Sequence, residues 1–372
     1  MNDGTLGLMT RREAEGGLNA VRSKGNGIKR KQDSGDWRIL VGNINTFPRE
    51  HGGEGKAKLD AFNHLATSSD SDIILLSEHN TNVKNTYLRD RPSQVMRNWW
   101  KNVLCRFEYI KSNSTSGYEQ GGTAIITHSR STAHTKEAGG DERQLGRWNW
   151  ITVQGKGNKK TTIFSIYRPR KEQQTSNRQL ARIRKNVDGD IRDTQPHLLW
   201  LKDLEEMITK TRRAGNGIIV AGDFNDNLNN ENGPIRKMME RLHLREVLLE
   251  LNGPGPNTHN RGTETIDGIF ASEGIDIRQG GYSTFEESPS DHRWLWIDII
   301  ERYIVGIGKD DRAPPMLRKA TSKIPSVRKA FNLLLEQEVR KHNLDEKMDK
   351  VYNYAEKHET LTPELEALYE TI

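Results

Sequence analysis

An α/β fold is predicted by three features of this chain. Short apolar runs rich in Val and Ile recur through its middle. Stretches with apolar residues at helical spacing separate several of them. The first two runs flank one such stretch, the strand–helix–strand order of a parallel pair. With 372 residues there is room for one large domain or two ordinary ones.

The elements follow in order. Residues 1–36 are rich in Gly, Asn, Lys and Arg, lack a sustained period and are expected to be disordered. Lys29-Arg30-Lys31 within them reads as a solvated basic patch or as a nucleic-acid or import signal. Ile39 to Asn45 forms the first strand. Residues 56–66, with Leu59, Phe62 and Leu65 on one face, form a helix. Asp72 to Leu76 is a short buried strand that ends at Ser77-Glu78. Further strands are expected at 122–127, 148–153, 161–167, 218–221, 265–270 and 293–300. Residues 171–195 are polar and weakly periodic, either an exposed helix or a long surface loop. Residues 196–212 carry Leu201, Leu204 and Ile208 at helical spacing, and Ala214-Gly215-Asn216-Gly217 turns the chain into the next strand.

After Glu301 the character changes. Pro314-Pro315 breaks the chain. Ser326 caps a helix with Val327, Phe331, Leu334 and Leu335 on one side. Leu344, Met348 and Val351 mark a second helix, and Thr362-Pro363 begins a third with Pro at its favoured first position. Helices this short are marginal alone and need a surface to dock on. The predicted organisation is a basic tail (1–36), a central domain (37–301) and a helical tail (302–372).

Composition narrows the function. Apolar residues make up 33%, low for a globular chain, which fits the reading of both ends as tail. The net charge of +6 is compatible with a polyanionic partner and equally with a solvated surface. One cysteine, Cys105, excludes an intrachain disulfide and a thiolate zinc cluster. It follows Val103-Leu104 and reads as a core thiol rather than a nucleophile. No apolar leader or membrane-length run is present, so a nuclear or cytoplasmic protein, not secreted and not membrane-bound, is expected.

The strand ends carry the chemistry. The run Ile218-Ile219-Val220-Ala221 stops abruptly in Gly222-Asp223-Phe224-Asn225-Asp226, a buried strand delivering polar groups to a sheet edge. Asn43 and Asn45 close the first strand, Glu78 follows the second, and Tyr167 ends a third. Asp267 starts another, and Asp291-His292 immediately precedes Trp294-Leu295-Trp296-Ile297. Each position alone reads equally well as a turn, cap or solvent-exposed residue. Together, so placed, they point to one rim.

In order these segments read Gly-Asn-Ile-Asn-Thr, Ser-Glu-His-Asn, Gly-Gly-Thr-Ala-Ile, Ile-Tyr-Arg-Pro, Gly-Asp-Phe-Asn-Asp, Thr-Ile-Asp-Gly-Ile-Phe and Ser-Asp-His. This series resembles the endonuclease/exonuclease/phosphatase superfamily with the DNase I-like fold, over residues 37–301. Within it, the chain most resembles the apurinic-type endonuclease domains of non-LTR retrotransposons. Asn-Ile-Asn in the first motif, Tyr167 where many phosphatases carry His, and Thr265-Ile266-Asp267 before an apolar strand point there.

The resemblance implies a four-layer α/β sandwich, two packed β-sheets with helices outside. It implies that Glu78 is the main Mg²⁺ ligand, helped by Asn45 and Asp291, with Mn²⁺ able to substitute. Asp223, supported by Asn225, would orient and deprotonate the attacking water. His292 would contact the scissile phosphate while Asp267 holds its ring. Tyr167 and Asn43 would bind phosphate oxygens or stabilise the leaving side. One departure is Asn45, where repair-type relatives tend to carry Asp; an amide lowers the negative charge around a metal. His79 after Glu78 is a second departure.

The implied activity is Mg²⁺-dependent nicking of double-stranded DNA, with a downstream reverse transcriptase region as a partner in such elements. A phosphatase or phosphodiesterase acting on RNA, inositol phosphate or lipid is the alternative within the superfamily. A catalytically inactive nucleic-acid-binding remnant is the alternative outside enzymes. Phosphate contacts are expected from surface arginines, foremost Arg147, Arg168 and Arg261. The polar loop Asn257-Thr258-His259-Asn260-Arg261-Gly262 lies just before Asp267 and is a candidate for groove contact.

Overall fold

A computed structural model describes residues 27–48, 53–82, 84, 86–110, 116–170, 174–186, 194–306 and 325–355. Twelve strands are present among them: β1 (Trp37–Asn43), β2 (Ile73–Ser77), β3 (Leu104–Glu108), β4 (Thr123–Thr127), β5 (Thr135–Gly140), β6 (Trp148–Gln154), β7 (Lys160–Tyr167), β8 (Gly217–Asp223), β9 (Leu244–Glu246), β10 (Asp267–Ser272), β11 (Ile277–Tyr282) and β12 (Leu295–Ile299). They build two six-stranded mixed sheets, in the orders β11-β12-β1-β2-β4-β3 and β5-β6-β7-β8-β10-β9. The expected parallel pair is present: β1 runs parallel to β2, with Asn43 opposite Ser77. A second parallel pair, β7 with β8, sets Tyr167 opposite Asp223.

The helices are α1 (Gly53–Ser68), α2 (Thr86–Met96), α3 (Ser129–His134), α4 (Gln174–Asn186), α5 (Pro196–Arg213), α6 (Pro234–Arg241), α7 (Val247–Asn252), α8 (Glu301–Val305), α9 (Pro325–Lys341) and α10 (Leu344–Ala355). The polar segment 171–195 thus contains a helix, α4; residues 187–193 lie outside the described set.

Alternation along the strands makes the layers. Side chains point to opposite faces at successive positions. Trp37, Ile39 and Val41 of β1, Ile73 and Leu75 of β2, Ile163 of β7, Ile219 and Ala221 of β8 and Ile269 of β10 meet between the sheets. Their neighbours Leu40, Ile74 and Leu76 face outward against Phe62, Leu65 and Ala66 of α1. On the far side Phe164, Ile218, Val220 and Phe270 pack on Trp200, Leu204 and Ile208 of α5. The result is the expected order of helix, sheet, sheet, helix.

Two boundaries differ from expectation. Residues 27–36 are held to the domain. Lys31 Nζ pairs with Asp72 Oδ2 at 2.8 Å, Trp296 donates to the Gly27 carbonyl at 3.2 Å, and Asp36 is buried. Of the basic patch that reads as solvated, Lys31 is paired with Asp70 and Asp72, while Lys29 and Arg30 are exposed. At the other end α8 returns Ile304 and Val305 to the core between the sheets, so the compact fold passes Glu301. The expectation of disorder for residues 1–26 and of a helix beginning at Thr362 falls outside the described residues. The segment Pro315–Ile372 forms a separate unit, in which α9 and α10 are the described helices. Phe331, Leu334 and Leu335 of α9 are exposed. No helix among the described residues is long and apolar enough to cross a membrane.

Candidate active site

The strand positions that face the inter-sheet core end in polar residues at one edge. Counting by twos, the row Trp37, Ile39, Val41 continues to Asn43, and the row Ile219, Ala221 continues to Asp223. Ile163 continues through Ser165 to Tyr167, and Ile269 counts back to Asp267. Pairing then sets them side by side. Asp223 lies opposite Tyr167 of β7 and opposite Asp267 of β10, while Asn43 lies opposite Ser77. The site is therefore the polar end of the same layer that forms the core.

The backbone there is bent to aim its side chains. Asn45, Glu78 and Asn225 have positive φ angles of 40, 51 and 47°, a region non-glycine residues seldom adopt. Gly222 is required by space: at φ 144°, a Cβ would stand 2.1 Å from the Ile166 carbonyl oxygen.

Asp223 is the buried centre. Its Oδ2 accepts from Asn43 Nδ2 at 3.0 Å and Asn225 Nδ2 at 3.1 Å, and its Oδ1 accepts from the Asn225 amide at 2.9 Å. Burial, then the Asp267 charge, raises its pKa well above the usual carboxylate range, with His292 opposing. Asp267 Oδ2 lies 2.9 Å from His292 Nδ1. Burial alone would lower the His292 pKa, but the Asp267, Asp223 and Asp291 carboxylates outweigh it and raise it to about 9. Thr258 Oγ1 accepts from the Ile266 and Asp267 amides at 3.0 and 3.1 Å and so fixes where Asp267 points.

Glu78 and Asp291 sit on the outer side. Glu78 Oε2 accepts from Asn43 Nδ2 at 3.2 Å, and the buried Tyr167 hydroxyl bonds to Glu78 from below. Burial, with Glu78 and Asp223 close by, pushes the Tyr167 phenol well above its ordinary pKa. The Asn45 amide donates to both Asp291 oxygens, at 3.1 and 3.3 Å. For Asp291, burial is outweighed by His292 and the Asn45 hydrogen bond, so its carboxyl is lowered. Among the described residues, the His, Asp and Glu groupings with ligand atoms within 4.8 Å of one another are Asp223–Asp267–His292 and His259–Asp291–His292. Glu78 stands outside both and is linked to them through Asn43 and Asn45. The carboxylate oxygens of Glu78 and Asp291 are hard donors and fit a hard divalent cation.

Asn43, Asn45, Glu78, Tyr167, Asp223, Asn225, Asp267, Asp291 and His292 thus come together. The arginines divide. Arg147 is buried, its guanidinium forked onto Asp141 at 2.6 and 2.7 Å and paired with Asp203 at 2.9 Å. That corrects the expectation of a DNA contact, because a charge so committed has no face for a phosphate. Arg168 is also nearly buried, beside Trp200, and its carbonyl accepts from Asn225 Nδ2 at 2.7 Å. It braces the Asp223 turn rather than the surface. Arg261 is exposed next to the site. His79 is buried, held near 4 chiefly by burial, with Nε2 donating to the Glu108 carbonyl at 2.9 Å. It locks the turn after Glu78. Burial pushes the Cys105 thiol up to about 12, as befits an inert thiol.

Sequence reasoning did not single out Lys58, Ser77 or Ser290. Lys58 Nζ donates to the Asn45 carbonyl at 2.7 Å, with Asp291 raising its pKa against the larger lowering by burial. Ser77 Oγ donates to the Ile166 carbonyl at 2.8 Å and accepts from the Asp223 amide at 3.3 Å. Ser290 Oγ donates to the Asn43 carbonyl at 2.6 Å, and Arg170 Nε donates to Asn225 Oδ1 at 2.6 Å. Only the unusual charge so close to a helix start marks Lys58; the serines carry no sequence signal.

A family model described as the Endonuclease/Exonuclease/phosphatase family matches residues 41–292. No curated protein matches the chain. Among solved structures, the AP endonuclease LMAP from Leishmania major is 12% identical, with a TM-score of 0.53 over 78% of this chain and 99% of that one. The catalytic domain of Xenopus laevis APE2 is 17% identical, with a TM-score of 0.51 over 77% and 98%. The catalytic domain of human Nocturnin, with bound sulfate, is 16% identical, with a TM-score of 0.51 over 71% and 94%. At such identities the likeness is one of fold.

Proposed function

This chain belongs to the endonuclease/exonuclease/phosphatase family, and from that premise we propose that it is a Mg²⁺-dependent phosphodiesterase that nicks double-stranded DNA. The observation that carries the reading is Asp223, a buried carboxylate held by Asn43 and Asn225 and faced by an imidazole seated on Asp267. Phosphodiester hydrolysis needs an activated water, neutralised phosphoryl charge and a stabilised leaving oxygen.

Each need has a residue. Asp223 takes the proton of the attacking water, and its raised pKa makes it a stronger base. Asn225 and Asn43 hold the carboxylate so that proton transfer has one direction. His292, protonated at neutral pH, donates from its outer nitrogen to phosphoryl oxygens while Asp267 fixes the ring. Glu78, Asp291 and Asn45 would hold the metal; a half-turn of the Asn45 amide presents Oδ1 in place of Nδ2. A bound Mg²⁺ or Mn²⁺ supplies Lewis-acid polarisation of the phosphoryl oxygens. Tyr167 supports Glu78 from below. Arg261 and Arg170, both exposed beside the site, are the phosphate-contacting cations of this reading.

A retroelement origin with a downstream reverse transcriptase partner extends the proposal. The Asn-Ile-Asn motif and Tyr167 support it, and the nucleotide sequence beyond the codon for Ile372 tests it. The enzymatic proposal is tested by nicking of supercoiled plasmid with Mg²⁺. Wild type nicks, while Asp223→Asn and Glu78→Gln lose roughly 10²–10⁴-fold in rate. Equal activity in all three sinks the reading.

A further inference from the structure

We propose that His259 is a further catalytic residue, whose Nε2–H donates a hydrogen bond to an oxygen of the phosphodiester held at Asp223 and His292. The proposal rests on the phosphodiesterase reading above.

Backbone pairing puts His259 at the site. The Asn260 amide donates to the Asp291 carbonyl at 2.9 Å and the Arg293 amide to the Thr258 carbonyl at 2.7 Å. His259 and His292 therefore face each other as an antiparallel bridge. Thr258, whose hydroxyl oxygen fixes Asp267, is the residue before His259. One short segment thus orients both a partner of His292 and a second imidazole beside it. The two rings meet edge to face, centroids 4.9 Å apart at 69°. The His259 side chain keeps 21% of its exposure, so it is reachable from solvent, whereas that of His292 keeps 7%.

The proton of His259 can be placed. The Arg261 amide donates to His259 Nδ1 at 3.2 Å, so Nδ1 carries the lone pair. The neutral ring then bears its hydrogen on Nε2. Flipping the ring would replace both nitrogens by carbons at their contacts, so the orientation is fixed by its hydrogen bonds. Nε2 lies 3.5 Å from Asp291 Oδ2, the outer limit of a hydrogen bond. The N–H therefore stands beside the acidic rim incompletely used.

The same geometry weighs against a second metal centre. His259, Asp291 and His292 have ligand atoms within 4.8 Å of one another, a set suited to a transition metal. Coordination by Nε2 would need the hydrogen on Nδ1, pointed at the Arg261 amide. A fixed Nε2–H is a donor instead. Donors aimed at an oxygen whose charge grows in the transition state are worth most where water is partly excluded.

The test uses the full chain with Mg²⁺ and two variants. His259→Phe keeps a ring against His292 and removes the donor; His259→Gln places an N–H₂ near the same point. Phe is expected to lower kcat by on the order of 10²-fold with little change in KM, and Gln to recover most of the loss. Melting temperatures of both stay at the wild-type value. Substrates are supercoiled plasmid and bis(p-nitrophenyl) phosphate, a phosphodiester without DNA. Hydrolysis of the small diester alone by wild type retires the DNA reading and leaves the His259 comparison intact. Wild-type kcat in the Phe variant on whichever diester is cleaved overturns the proposal. So does an equal loss in Phe and Gln, or a loss that follows a fallen melting temperature.

Discussion

Replacing Ser77 by Ala asks how much of the chemistry depends on a side chain that does not meet substrate. Ser77 is buried between the sheets, where its Oγ donates to the Ile166 carbonyl at 2.8 Å and accepts from the Asp223 amide at 3.3 Å. Ser165 makes the reciprocal tie, Oγ to the Leu76 carbonyl at 3.0 Å, one step deeper in the core. It is the natural control. Removing either hydroxyl leaves a buried carbonyl short of a partner and costs about 1–2 kcal/mol. In a domain of this size that lowers Tm by about 2–4 °C per kcal/mol, so roughly 2–8 °C in each variant. Ser77→Ala falls at the upper end because the Asp223 amide also loses its acceptor. Only Ser77→Ala releases the strand end that carries the proposed base, and misplacing a reacting group by about 1 Å costs roughly 10²-fold in rate. The assay is thermal melting and plasmid nicking of both variants side by side. Equal kcat in Ser77→Ala and Ser165→Ala would refute the claim that Ser77 positions Asp223, and unchanged melting in both would refute the claim that these hydroxyls tie the sheets.

Other consequences are as concrete. Asp267→Asn removes a negative charge that raises both the Asp223 and the His292 pKa, so both limbs of the nicking pH profile move to lower pH; limbs moving in opposite directions contradict the assignment. His79 is held near 4 and would titrate near 6.5 when unfolded, so the unfolded chain binds more protons between these values. Its contribution is complete above pH 6.5 and shrinks by up to about 1.4 kcal/mol per unit as pH falls toward 4. Urea unfolding of wild type and His79→Gln at pH 7 and 5 reads the difference. Arg147→Ala leaves Asp141 buried without its cation, while Asp203 keeps Arg143, and costs about 3–5 kcal/mol; the salt dependence of DNA binding stays as in wild type. A reduced salt slope would return Arg147 to the DNA surface. Gly222→Ala drives a methyl into the Ile166 carbonyl and lowers folded yield and nicking together; a well-folded, active variant speaks against the close approach.

The α/β class and the site positions were legible because both follow short-range rules. Buried strands show as apolar runs, and Gly222-Asp223-Phe224-Asn225 marks a strand end by its abrupt change of polarity. What failed to show depends on contacts between distant segments. β5, Thr-Lys-Glu-Ala-Gly-Gly at a sheet edge, has neither an apolar run nor alternation. β11 carries Gln-Gly-Gly and is a strand because β12 pairs with it. Arg147 and Arg168 read as surface cations, since nothing near them in the chain announces Asp203 on α5 or Trp200. Lys31 likewise finds Asp72 across 41 positions of chain. His259 was visible as part of a polar loop, but its place opposite His292 is a tertiary pairing.

β12 lies between β11 and β1, yet it is made about 250 residues after β1. At roughly 5–20 residues per second, the edge of β1 waits on the order of ten to fifty seconds for its neighbour. Until then a hydrophobic strand stands open to other nascent chains, and this interval is when the protein most needs a chaperone. Every product that ends after Asp223 and before His292 contains the proposed base and lacks the imidazole proposed to act with it, so such shortened chains hold only part of the site. The proposed site is thus completed only by the segment that leads into β12, the last strand of the fold.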